Sequence, residues 1–185
     1  DPAGANVLAT KAVRAVLVEL LNLRAPPVVA IASRVIVYCS RAAPLLPLLG
    51  SAEVRDALVG LGMAARRCDD NAQMVAEAVR NIVGHSGTSA KLFATRSVHD
   101  LLVALGASDD VCTRGFVTNA VRHILDEQPS PDVMATREIR ALLVSCWRRC
   151  GGDGGPGWVD GASGWASAPT RCCRRTWAAA RRSPT

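Results

Sequence analysis

At 185 residues, with 49% apolar and 21% charged residues, the chain has the balance of a folded protein and room for one ordinary domain or four small units. Aromatic residues make up only 4%, which argues against a compact core rich in Phe and Tyr and suits thin layers of Ala, Val and Leu helices. The net charge is +6, and Arg24, Arg34 and Arg41 interrupt the best candidate for an uncharged bilayer span.

From Thr10 to Leu21 the residues Val13, Val16, Leu17, Leu20 and Leu21 fall on one helical stripe. Pro26 and Pro27 end this helix or start the next, and Val28 to Ser40 reads as an almost wholly apolar interior helix. Its run Val35-Ile36-Val37-Tyr38 would also suit a strand. The segment from Pro44 to Gly50 forms a proline-bounded turn or single helical turn, after which Ser51 caps a long helix with early acid at Glu53. Thr95 and Thr136 take the matching place further on, and Glu138 repeats the acid. Asp69-Asp70 and Asp109-Asp110 each precede an apolar-periodic helix and read as capping pairs rather than metal ligands. The first of those helices is expected to stop at Gly84, the second near Gln128-Pro129.

Two phrases recur. Val54-Arg55-Asp56-Ala57-Leu58-Val59 matches the segments starting at Val98 and Ile139, at offsets of 44 and 41 residues. Ala32-Ser33-Arg34-Val35-Ile36 matches those starting at Ala78 and Ala120, at offsets of 46 and 42. A period of about 42 residues is that of stacked helical units, none large enough to bury its own apolar face. The partners of Val35 to Tyr38 have helical context on both sides, which favours helix there. Each full unit reads as a short helix, a helix of about twelve residues and a longer third helix.

This triad resembles the armadillo repeat, with the HEAT repeat close behind. Val98 to Asp110 followed by Val117 to Leu125 is similar to that family's leucine-rich second helix, acidic turn and third helix, and Ala78-Val79-Arg80-Asn81-Ile82 matches its Ala-Leu-x-Asn-Leu-like phrase best. The resemblance covers roughly residues 7 to 149. It implies an all-α, right-handed α-solenoid of about three to four units over residues 1–150. It also implies a concave groove lined by third helices, where an asparagine near the helix end bonds the backbone of an extended peptide. Only Asn81 carries that role over, since Val35 and His123 stand at the equivalent positions. One turn earlier the groove presents Ile31, Glu77 and Asn119.

Arg34, Arg80 and Arg122 recur one place before the asparagine position. They read either as a row of guanidinium groups for acidic peptide or phosphate, or as bridges between neighbouring units. Only Lys11 and Lys91 are lysines among 22 basic residues, which a coding bias explains better than function does. His85, His99 and His123 fall in different units with no acid or cysteine pattern of a catalytic dyad, so they read as surface or capping residues. No nucleophile, base and orienting acid assemble from the motifs, and no enzyme activity or cofactor is expected.

The seven cysteines are scattered and no signal peptide is evident, so the chain reads as soluble and intracellular, cytoplasmic or nuclear. Cys39, Cys68 and Cys112 read as small, partly buried apolar residues. Cys146, Cys150, Cys172 and Cys173 depart from the usual zinc spacings, and no metal is expected. Periodicity stops at Gly151, and the Gly-, Arg- and Trp-rich stretch 151–185 reads as a disordered tail or the product of an incorrect reading frame. It holds five Arg against two Asp, half the excess positive charge. The start at Asp1 reads as a processed product or a fragment with an incomplete first unit. The function expected is a protein-interaction scaffold that binds a partner segment through Arg34, Glu77, Arg80, Asn81, Asn119, Arg122 and His123. The alternatives are an RNA- or DNA-binding repeat protein using the arginines and basic tail, and a fragment of a larger enzyme.

Overall fold

The apolar stripes become helices throughout the residues that the computed structural model describes, 11–127 and 133–149. Among these residues there are nine α-helices and no strand. α1 spans Lys11–Asn22, α2 Pro26–Arg41, α3 Leu46–Leu49, α4 Ala52–Ala65 and α5 Asp69–His85. α6 spans Gly87–Phe93, α7 Arg96–Gly106, α8 Val111–Glu127 and α9 Arg137–Arg149. A 3-10 turn at Ala43–Leu45 leads into α3. No single helix among the described residues is long and apolar enough to cross a membrane.

Local chemistry explains the boundaries. Pro26 occupies the first position of α2, where its missing N–H costs nothing and its fixed φ already suits a helix. The β-branched run at Val35 is helical because Val29, Ala32, Ser33, Ile36, Val37 and Ser40 make one buried stripe, and burial outweighs the weaker strand preference. Ser51, Thr95 and Thr136 cap α4, α7 and α9 by accepting from the N–H groups of Val54, Val98 and Ile139 at 3.4, 3.4 and 3.3 Å. Ser51 and Thr95 even share the same backbone angles, φ −124° and ψ 158°.

The two acid pairs diverge from the capping expectation. Asp110 does cap α8, accepting from the N–H and hydroxyl of Thr113, both at 2.6 Å. Asp69 and Asp70 instead lie inside the first turn of α5, whose cap position is Cys68 and has no side-chain cap bond. Asp69 serves a different purpose: it accepts from Ser108 Oγ at 3.1 Å and ties α5 to the loop before α8. Gly84 does not stop α5, which runs on to His85.

Helices α2, α5 and α8 pack on one another in succession, as do α1, α4, α7 and α9. The packing is not a plain succession of identical contacts, because α5 is a central hub that also meets α3, α4, α6 and α7. Positions matched by the recurring phrases share an environment. Val54, Val98 and Ile139 are at most 1% exposed, and Ala32, Ala78 and Ala120, like Ile36, Ile82 and Ile124, are fully buried. Two glycines are matched as well. A Cβ at Gly62 would overlap Leu101 and crowd Val75 Cγ1 at 3.1 Å, while one at Gly106 would overlap Leu142. The missing side chain at each lets the next helix set a leucine into the backbone.

Candidate interaction surface

The buried stripe of α2 leaves the opposite one facing solvent. Ile31, Arg34, Tyr38 and Arg41 are all exposed, at spacings of three, four and three residues. Across from them, α5 presents Asp70, Met74 and Glu77, and an open groove of about 260 Å³ lies between the two helices. Arg41 closes one end of it with a fork onto Glu77, Nε to Oε1 at 2.6 Å and Nη2 to Oε2 at 2.7 Å. The Glu77 carboxylate holds the Arg41 guanidinium above its ordinary pKa range, against a smaller opposing effect of burial. The Arg41 guanidinium also lies 5.8 Å from the centre of the Tyr38 ring.

Beside this fork, Asn81 donates from Nδ2 to Ser40 Oγ at 3.1 Å, and Ser40 donates to the carbonyl of Val37 at 2.9 Å. Arg80 Nη1 donates to Asn81 Oδ1 at 2.8 Å. Glu77, Arg80 and Asn81 are therefore brought together at the α2–α5 seam, and the amide of Asn81 already serves the junction between helices.

Arg80 reaches its own neighbour Asn81, and Arg122 pairs along α8 with Asp126 at 3.5 Å. Arg34 makes no hydrogen bond or ion pair with a described residue. Arg41, seven positions after Arg34 and outside the recurring phrases, does bridge helices, as does Arg55 of the first phrase, whose Nη1 donates to the carbonyl of Leu92 at 3.1 Å.

Asn119, Arg122 and His123 follow on α8, all half-buried. The ring of His123 lies against Gly84 of α5, with Nε2 3.1 Å from where a Cβ would stand. Burial lowers the His123 pKa below its ordinary value, the Arg122 and Arg80 charges lower it further, and Asp126 opposes them.

His99 was not legible as a surface or capping residue. Its ring is 2% exposed and joins Asp100 Oδ1 at Nδ1 to Thr136 Oγ1 at Nε2, both at 2.8 Å. An acid, an imidazole and a hydroxyl in series are the parts of a nucleophile-activating relay. Here, however, the ring is shut away from solvent, and Thr136 Oγ1 accepts from Ile139 N–H as the cap of α9. The series pins α7 to the start of α9. The Glu138 carboxylate is held low by its own backbone N–H and the Thr136 hydroxyl, with smaller help from His99 and Arg96.

Among the cysteines, Cys68 is exposed rather than partly buried, while Cys39 and Cys112 are half-buried and Cys146 is buried. Burial pushes the Cys39 thiol up, away from its reactive form. No cluster of three or more metal-ligating side chains occurs among the described residues. Cys150, Cys172, Cys173 and the tail 151–185, expected to be disordered, lie outside the described residues. No protein-family model, curated protein or solved structure matches the chain.

Proposed function

We propose that the chain is a non-catalytic scaffold that holds a segment of a partner protein along the solvent side of α2, α5 and α8. In its finer form the reading is an armadillo-like, right-handed α-solenoid of three to four units working inside the cell, in cytoplasm or nucleus. The shared caps at Ser51, Thr95 and Thr136 and the matched buried positions support a repeat.

The observation that carries the choice of partner is the alternation of charge on this surface. Arg41 is neutralised by Glu77 and Arg122 by Asp126, and Asp70 stands across the groove from α2. A nucleic-acid backbone would meet an acid at each of these steps, whereas a protein segment offers side chains of either sign. The partner-binding residues in this reading are Arg34, Glu77, Arg80, Asn81, Asn119, Arg122 and His123, with Tyr38 and Arg41 added.

The test is a photo-crosslinking amino acid placed at Gln73 on the proposed surface and, separately, at Met63 on α4, in the full chain in cell extract. The reading predicts nuclease-resistant protein adducts from Gln73 and none of the same partners from Met63. Adducts that nuclease removes would favour an RNA- or DNA-binding protein, and equal protein adducts from both positions would refute the assignment of the surface.

A further inference from the structure

The two arginines on the exposed stripe of α2 are in different states. Arg41 is occupied, forked onto Glu77 and laid over Tyr38. Arg34 has no acceptor among the described residues, so its five N–H donors face the groove and solvent. Its neighbours on the stripe are large and apolar: Ile31 is 55% exposed and Tyr38 67% exposed, while Met74 stands across the groove.

A planar guanidinium between two exposed apolar side chains is complementary to a carboxylate that has an apolar neighbour. The carboxylate takes two parallel hydrogen bonds, and the apolar group covers Tyr38 and Met74. The opposite wall narrows the choice. Asp70 repels a second carboxylate or a run of phosphates, and Glu77 leaves Arg41 no spare charge for one, so the surface fits one acid and not an acidic tract. A segment without an acid would leave the Arg34 donors unmet beneath it.

We propose that the groove between α2 and α5 receives a partner-protein segment that brings a single Asp or Glu beside an aliphatic or aromatic side chain. The inference rests on the protein-scaffold reading and names the kind of segment.

The test selects binders for the full chain from a displayed random-peptide library and measures an enriched peptide by fluorescence titration. Enrichment of one acidic residue next to Leu, Ile, Phe or Tyr is expected. Arg34→Ala should weaken the peptide about tenfold or more, as for loss of a charged hydrogen-bonding partner. Arg34→Glu should abolish binding, and a peptide with Lys in place of its acid should restore it. Arg34 is exposed and unpartnered within the described residues, so an unchanged unfolding midpoint will show that these variants fold.

Peptides enriched without an acid, or equally bound by Arg34→Ala, would overturn the inference. If such peptides still crosslink at Gln73, the scaffold reading stands alone. A library that yields no binder overturns the inference, and binding of a single-stranded RNA probe in its place overturns the scaffold reading too.

Discussion

Between α4, α7 and α9 the helices interlock, with Leu101 set against Gly62 and Leu142 against Gly106. Between α2 and α5 they meet at the solvent edge through Ser40 with Asn81 and Arg41 with Glu77. The first kind of contact is dry and tolerates no added atom, so it fixes the spacing of neighbouring helices. The second is mixed: Ser40 is 1% exposed, whereas the Arg41 side chain is 42% exposed and water replaces much of what its ion pair loses. One set of contacts therefore carries stability, and the other can exchange internal partners for external ones.

The largest expected effect lies on the interlocked side. Leu101→Ala removes a side chain that is 1% exposed and should cost about 2–5 kcal/mol in denaturant unfolding. Gly62→Val comes next, at about 1–3 kcal/mol from overpacking against Leu101 and Val75. Gly115→Ala sharpens the point, because nothing lies within 4 Å of its Cβ and the change should stabilise α8 by about 0.5–1 kcal/mol. If Gly62→Val were as harmless as Gly115→Ala, the interlock would not exist.

On the polar seam, Arg41→Ala should cost no more than about 1 kcal/mol, by the same measurement. A loss as large as that of Leu101→Ala would break the contrast.

The subtlest effect is in pH. The folded state holds the His123 pKa below its ordinary value of 6.5, so the unfolded chain binds the proton more readily. The contribution is present above pH 6.5 and is lost as pH falls from there through the folded pKa. His123→Gln should flatten that part of the stability profile, and an unchanged slope would show that the ring is not desolvated in solution.

The helices and most of their caps were legible because they depend on near neighbours in sequence. Apolar spacing marked α1 and α2, and Ser51, Thr95 and Thr136 stood three residues before the groups that they cap. The matched glycines showed no such signal, since a contact such as Gly62 with Leu101 joins positions far apart in the chain. Asp69 departs from the capping expectation for the same reason, its partner Ser108 lying beyond α6 and α7. His99 differs from its counterparts in the recurring phrase, half-buried Arg55 and exposed Arg140, and its partner Thr136 arrives from the start of α9. At the surface, Glu77 and Asn81 were legible as residues of the third helix. Their engagement by Arg41 and Ser40 was not, because the register between α2 and α5 is set by packing, not by the repeat. The exposed stripe Ile31, Arg34, Tyr38 and Arg41 could have been found as the complement of the buried one.

The division of labour between the interlocked helices and the open seam is tested most directly with full-length Arg34→Ala/Tyr38→Ala, by measuring partner capture and the urea midpoint on the same preparation. The account predicts an unchanged midpoint with capture lost. Capture retained at an unchanged midpoint, or a midpoint lowered as far as in Gly62→Val, would contradict it.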